Sequence, residues 1–307
     1  MYEILCRSQY FTLYKVKEGI YAAIVTDGSG ALGNAGIIDL GDKTLIFDTF
    51  QSPLAANDLK EAAAALTGKP VSYVVNSHWH FDHILGNQEF TDAAIISTSK
   101  TRECIEQYVP PFIGIVQRNP NYPVLLKTEA STVSDYNKRK ELLQNASDAE
   151  HLARHINHIE VTLPTMTLEE ELYLYGSNRQ AVLVHMESCH SESDVVLYLP
   201  DDQVLFAGDI VFHQYHPSLK TSNPDEWIRA LQVIDEWDIQ HIVPGHGDIA
   251  AKGALETTAQ YIIHIQQTAA TWNGEDIVVP NQYKNWDGPS LYYDNLEFVF
   301  ERERSKA

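Results

Sequence analysis

Asn76-Ser77-His78-Trp79-His80-Phe81-Asp82-His83 places three imidazoles and one carboxylate within six residues. It follows directly on Val71–Val75, a short apolar run that reads as a buried strand. Side chains carried at the end of a strand converge with little ordering cost, because the sheet already fixes their backbone. Neutral imidazole and carboxylate suit Zn²⁺, Fe²⁺ or Mn²⁺, and the absence of clustered thiolates argues against a structural zinc knot. One tetrahedral ion cannot easily use all four side chains of so short a loop, so the spacing points to two neighbouring ions.

Three further segments offer what two ions would still need. Cys189-His190-Ser191-Glu192-Ser193-Asp194 precedes the apolar run Val195–Leu199. Leu205-Phe206-Ala207-Gly208-Asp209 ends a strand-like run on a carboxylate, and Val243-Pro244-Gly245-His246-Gly247 sets a histidine in a glycine-flanked turn. Each is weak alone, since an isolated strand-end Asp or His is usually a cap or a surface residue. Together, all four segments fall at the C-terminal ends of predicted strands or in adjoining loops, where α/β proteins commonly build their sites.

The set His78-x-His80-x-Asp82-His83, then His190, Asp209 and His246, with its Gly-Asp and Pro-Gly-His-Gly flanks, resembles the metallo-β-lactamase superfamily over residues 20 to 250. That resemblance implies an α/β fold, a four-layer αββα sandwich with metals at one edge between the sheets. It implies one metal on His78, His80 and His190, a second on Asp82, His83 and His246, and Asp209 bridging both. Two divalent ions, zinc first and iron or manganese compatible, would give hydroxide at neutral pH and polarise the attacked bond. The expected activity is hydrolysis of an ester, thioester, lactone or amide, with Asp82 orienting the attacking hydroxide or passing its proton on. His83 stands where some lactamases carry arginine, and His80 where flavodiiron oxygen reductases carry glutamate, so the di-metal hydrolase branch is the nearer match. Phe212 replaces the tyrosine of the lactonase branch, and the sixty-odd residues after His246 lack the cationic character of glyoxalase II. Two alternatives stay open: a mononuclear iron enzyme resembling the persulfide dioxygenases, and a non-catalytic metal scaffold.

Working outward, strand-like runs at Tyr10–Val16, Ile20–Thr26, Ala35–Leu40 and Thr44–Asp48 precede a helix at Ser52–Leu66 with Pro53 in its first turn. Ala93–Ser97 reads as a strand and Lys100–Tyr108 as a helix stopped by Pro110-Pro111. Residues 110–165 break the rhythm and read as an inserted lid, helical from about Ser134 to His158. Strands resume at Leu168–Tyr175, Gln180–His185, Val195–Leu199, Val204–Ala207 and His241–Val243, with helices at Asp225–Trp237, Lys252–Trp272 and Leu291–Arg304. The expectation is one domain over 1–307, two packed sheets with helices outside, the lid, and a helical extension over about 250–307.

The remaining chemistry-bearing residues have blander readings. His213, Tyr215 and His216 follow Asp209 and are candidates for contacting substrate. Cys189 reads as a packing thiol. His151, His155 and His158 share i, i+4, i+7 spacing but lack a carboxylate to complete a site, so a solvated face is expected. His185, His241 and His264, with Trp227 and Trp237, read as packing or surface residues.

The composition, 44% hydrophobic and 21% charged, is that of a globular protein. A net charge of −20 with no basic cluster argues against nucleic acid and favours a small-molecule substrate. The three widely spaced cysteines suggest reduced thiols in a cytoplasm, and no apolar run is long enough to enter a membrane.

Overall fold

A computed structural model describes residues 2–275 and 277–306. The chain opens with β1 (Glu3–Arg7), β2 (Phe11–Lys17), β3 (Ile20–Val25), β4 (Ala35–Asp39) and β5 (Thr44–Phe47). It continues through α1 (Pro53–Thr67), β6 (Val71–Val75), the single-turn α2 (Phe81–Ile84) and β7 (Ala94–Thr98). Three helices, α3 (Ser99–Arg118), α4 (Tyr122–Thr132) and α5 (Tyr136–His155), then lead to β8 (Met166–Leu168). These eight strands form one sheet in sequence order, antiparallel from β1 to β5 and parallel from β5 to β8.

The second sheet has the order β13-β12-β11-β10-β9. Its strands are β9 (Glu171–Tyr175), β10 (Gln180–Glu187), β11 (Ser193–Leu199), β12 (Val204–His213) and β13 (His241–Gly247). Helix α6 (Pro224–Asp235) makes the crossover from β12 to its parallel neighbour β13, and α7 (Ala254–Thr271) and α8 (Ser290–Lys306) follow.

Period-two alternation assigns the layers. Leu45 and Phe47 of β5, Val75 of β6 and Ile96 of β7 join Val204 and Phe206 of β12 in the core between the sheets. Their alternates Ile46, Val74 and Ile95 face Leu59 and Ala63 of α1 instead. On the other side Leu205 and Ala207 meet Trp227 of α6, Tyr261 and Ile265 of α7, and Tyr292 of α8. Strands covered on both faces read as unbroken apolar runs, and four layers, αββα, result.

Several expectations need correction. Helix α3 runs through Pro110 and Pro111 instead of stopping there. Both prolines, and the Glu106 and Gln107 whose carbonyls they leave unpaired, are exposed, so water replaces the lost bonds. Helix α4, in the proline-bearing stretch, was not expected, and α5 ends at His155, leaving His158 in a 3₁₀ turn off the helical face it was to share. Leu168–Tyr175 is two strands rather than one, β8 pairing with β7 and β9 with β10. The chain changes sheets at Glu169-Glu170, where His185 Nδ1 meets the Glu169 carbonyl at 2.7 Å. Strand β12 continues past Asp209 to His213, with a register break against β13 around Gly208, whose φ is +50°. Asp209 therefore sits inside an irregular strand, not at the end of one. Strand β1, Glu-Ile-Leu-Cys-Arg, is a largely exposed edge strand that the sequence reading did not include.

Candidate metal centre

The motif loop leaves β6 at Asn76 and is clamped before it can wander. Asn76 and Asn87 exchange side-chain amide hydrogen bonds, both 2.9 Å, across the turn that holds α2. Cys104, Ile105 and Val109 of α3 pack on Trp79, Ile84 and Leu85, closing the loop from outside. His78 and His83 are fully buried as a result. His190 comes from the β10–β11 loop, which Asp194 organises by accepting from the Cys189 and Ser191 amides and the Ser191 hydroxyl. His246 lies on β13, where Asn34 reaches across from the first sheet to the carbonyls of Pro244 and Gly247 at 3.0 and 2.8 Å. Gly245 is required here, because a Cβ on it would stand 1.9 Å from Asp209 Oδ1.

All seven expected side chains converge, in two groups. The ligand atoms of His78, His80, His190 and Asp209 lie within 4.8 Å of one another, as do those of Asp82, His83 and His246. In the first group His80 Nδ1 stands 2.9 Å from His78 Nε2 and 3.0 Å from His190 Nε2, and Asp209 Oδ2 is 3.2 Å from His190 Nε2. In the second, Asp82 Oδ2 is 3.2 Å from His246 Nε2 and 3.4 Å from His83 Nε2. Asp209 touches both groups, its Oδ1 lying 3.2 Å from His83 Nε2. Nitrogens bound tetrahedrally to one zinc ion at about 2.0–2.1 Å would lie roughly 3.3 Å apart, close to this spacing.

The surrounding hydrogen bonds decide which imidazole nitrogen is bare. Ser77 Oγ donates to Asp48, so it accepts from His78 Nδ1–H, and His78 Nε2 is left without a proton. Thr221 Oγ1 donates to the His190 carbonyl and so accepts from His80 Nε2–H, leaving His80 Nδ1 bare. His83 Nδ1 bonds Asp48 Oδ2 at 2.8 Å, which aims Nε2 inward. Lone pairs of His78 and His80 thus point at each other across 2.9 Å, an arrangement that repels unless a cation lies among them. His83 Nε2, His190 Nδ1 and Asp209 Oδ1 are buried without a well-aligned hydrogen bond, and a cation between the first and last of these would satisfy both. The donor set fits a pair of divalent cations.

The electrostatics of the two groups differ. Burial, reinforced by neighbouring imidazoles, holds His78 well below the usual histidine range. Burial likewise takes His190 down to about 3 against the pull of Asp209. In the second group burial opposes charge on His246, but Asp209 and Asp82 outweigh it and push the imidazole up to about 9. Burial also opposes charge on His83, and Asp82, Asp209 and Asp48 overcome it, raising it well above its ordinary value. Burial disfavours the Asp82 and Asp209 carboxylates, yet the surrounding histidines hold both well below the carboxylate range.

The three pocket candidates separate. His213 and Tyr215 line a polar cavity of about 240 Å³ that reaches His246. The Tyr215 ring lies 5.1 Å from that of His246, and the Phe212 ring, 6.3 Å from that of Tyr215, stacks on His246 at 5.3 Å. His216 is corrected: it is fully buried, with Nδ1 against Tyr261 Oη and Nε2 against the Tyr283 carbonyl, and it pins the C-terminal helices. Cys189 is buried with its sulfur near the Glu187 and Glu226 carbonyls, in a packing position. Among the described residues, His151, His155 and His158 fall in no group able to hold an ion. His185, His241 and His264 bond Ser193, Tyr2 and Tyr292. Thr221 and Asn34 carry no signal in the sequence, whereas Asp48 ends the strand-like run Thr44–Asp48 and Asp194 ends the segment that holds His190, without their supporting roles being legible there.

The sequence pattern of the metallo-beta-lactamase superfamily matches residues 28–246, and the chain belongs to that superfamily. Solved structures share the fold: the DIM-1 metallo-beta-lactamase at TM-score 0.59 and 19% identity, covering 83% of this chain and 98% of that one. VMB-1 follows at TM-score 0.59 and 16% identity, over 84% and 99%. Among curated proteins, a linear primary-alkylsulfatase from a Pseudomonas strain is 22% identical over 77% of this chain but only 46% of its own length. The acyl-coenzyme A thioesterase MBLAC2 of Gallus gallus is 24% identical over 71% of this chain and 73% of its own. The chain thus spans under half of the first of these relatives. Among the described residues, no helix is long and apolar enough to cross a membrane.

Proposed function

We propose that this chain is a metal-dependent hydrolase of small molecules, acting on an ester, thioester, lactone or amide. The observation that carries it is the set of inward-facing nitrogens on His78, His80 and His83, aimed by Ser77, Thr221 and Asp48 and bare on His78 and His80, with Asp209 reaching both groups. His78, His80 and His190 would hold one cation, and Asp82, His83 and His246 a second, with Asp209 between them. Two divalent cations, zinc first, supply Lewis acidity and a water of lowered pKa when bound.

The protein's own part is orientation and proton handling. Asp82 is the more accessible of the two site carboxylates, 14% exposed against 6% for Asp209, so it is the one placed to take a proton from water and return it to a leaving group. Phe212 and Tyr215 hold His246 in place, and Tyr215 presents its ring to the cavity. The polar cavity is lined by Asp27, Glu141, Asp148, Asp248 and Asp287 and by no Lys or Arg, and with Lys140 offsetting Asp287 and Asp27 from its edge the acidic excess still favours an uncharged or cationic group on that side. That lining supports an acyl substrate over a sulfate ester. Helices α3 to α5 serve as the cover over the site. Free Cys6, Cys104 and Cys189 support a cytoplasmic setting.

Elemental analysis of protein purified without added metal, paired with an ester, thioester, lactone and amide screen before and after chelation, tests the reading. Two zinc equivalents and chelator-sensitive turnover are expected. A single iron with oxygen consumption would replace it by the dioxygenase reading, and metal without turnover on any substrate would leave a scaffold.

A further inference from the structure

A second cavity, about 330 Å³, lies between α3, α4 and α5, and its character is opposite to that of the first. Its walls are Phe112 and Val116 of α3, Tyr122 of α4, and Leu152 and Ala153 of α5, with Leu32 from the loop before β4. Ile115 and Tyr122 at its margin are 53% and 52% exposed, so apolar surface that could have been covered stands open to solvent. The two cavities are neighbours: Leu32, Asn145 and Asp148 line both, and the first reaches His246 of the metal centre.

Leu32 marks the junction in a second, independent way. Its φ is +71°, a left-handed conformation that a branched residue adopts only at a cost of about 1–2 kcal/mol. Its neighbours leave the loop no freedom. A Cβ on Gly30 would stand 2.5 Å from the His151 side chain, and one on Gly33 would stand 2.8 Å from the His83 ring. Gly30 N–H donates to Asp148 at 2.7 Å, and Ser147 Oγ donates to the Gly28 carbonyl at 2.6 Å, tying the loop to α5. The strained leucine is therefore held where the wall of the groove meets the edge of the metal centre.

We infer that the groove between α3, α4 and α5 seats an unbranched apolar chain of the substrate, whose scissile bond lies past Leu32 at the metal centre. This rests on the hydrolase reading for the reaction, but the binding of a chain does not depend on it. An apolar arm joined to a polar, acid-lined arm fits an amphiphilic molecule, chain on one side and uncharged or cationic group on the other. The groove is the only one of the two arms able to reward chain length, and burial of each further methylene is worth about three- to four-fold in affinity.

Two measurements on the 307-residue chain separate the groove from the reaction. With metal-loaded protein, kcat/KM for p-nitrophenyl esters should rise about three- to four-fold per methylene from acetate until the groove is filled. Ala153→Trp on α5 and, separately, Val116→Trp on the facing α3 should lower the decanoate-to-acetate ratio at least ten-fold. A chain-length profile that is flat, or a ratio unchanged in both variants, overturns the groove while leaving the hydrolase standing. In the second measurement, decyltrimethylammonium below its micelle concentration is titrated into metal-free protein by calorimetry, with butyltrimethylammonium beside it. Decyl binding at least ten-fold tighter than butyl, and at least ten-fold weakened in both variants, supports the groove even if no ester is hydrolysed. Decyl binding that both variants retain overturns it. Melting curves of both variants matching the parent exclude misfolding as the cause.

Discussion

The two halves of the metal centre are built on different principles. His78, His80 and His190 form a group of neutral rings, with His78 and His190 held below their ordinary pKa and lone pairs turned on one another. Asp82, His83 and His246 form an ion-pair network, with both imidazoles raised and the carboxylate lowered. The second half can satisfy itself with protons when no cation is there, whereas the first cannot. Asp209 belongs to both and couples them.

The largest effect that would break this comparison is loss of the shared carboxylate. Asp209→Ala should strip both halves of metal and lower turnover by roughly 10³-fold or more, because it removes the carboxylate that the two groups share and leaves Asp82 as the one carboxylate between them. Elemental analysis retaining one full equivalent would show that the halves are independent. Gly245→Ala should come close behind, since its new Cβ would overlap Asp209 Oδ1. Metal content and melting temperature should fall together.

The supports of the two halves should then separate. Thr221→Val removes the acceptor for His80 Nε2–H and should weaken metal binding in the first half alone, about 10- to 100-fold. Asp48→Asn strikes both, because Asp48 holds His83 directly and His78 through Ser77. Competition with a chelator of known affinity reads both changes, and equal effects of the two variants on each equivalent would erase the distinction.

The smallest effect concerns protons. At pH 7 metal loading of the second half must displace protons from His83 and His246, and loading of the first half releases none from His78 or His190. Calorimetry in buffers of different ionisation enthalpy should show release confined to one binding step. The same raised pKa gives the metal-free protein a pH-dependent stability. For His246, folded near 9 against about 6.5 unfolded, the contribution is full below about 6.5 and disappears as pH rises through about 9. Chelator-treated protein should melt progressively lower over that window, and a flat profile would count against the ion-pair description.

The contiguous motif was legible because its residues are neighbours in the chain, and density alone implies a cation. His190, Asp209 and His246 were legible only through their company, as strand-associated singletons in the right order. Residue type could not separate His213 from His216, three residues apart; the turn between them sends one to the cavity and the other under Tyr261. Proline chemistry predicted a helix end at Pro110, but exposure of that face let hydration replace the missing bonds. The acidic pair at Glu169-Glu170 interrupts a strand pattern without saying that the chain is leaving one sheet for the other.

By itself the sequence determined the ligand types, their order, the apolar period that stacks two sheets, and the family these imply. Those are local properties, set by side-chain chemistry and by the alternation of a pleated strand. Only the tertiary structure decided which imidazole nitrogen is bare, which carboxylate touches both groups, and that an apolar groove opens beside an acid-lined cavity. Each of those depends on residues from distant segments, Asp48 on His83 at 2.8 Å or Leu32 and Leu152 lining one cavity, and no spacing along the chain encodes that proximity.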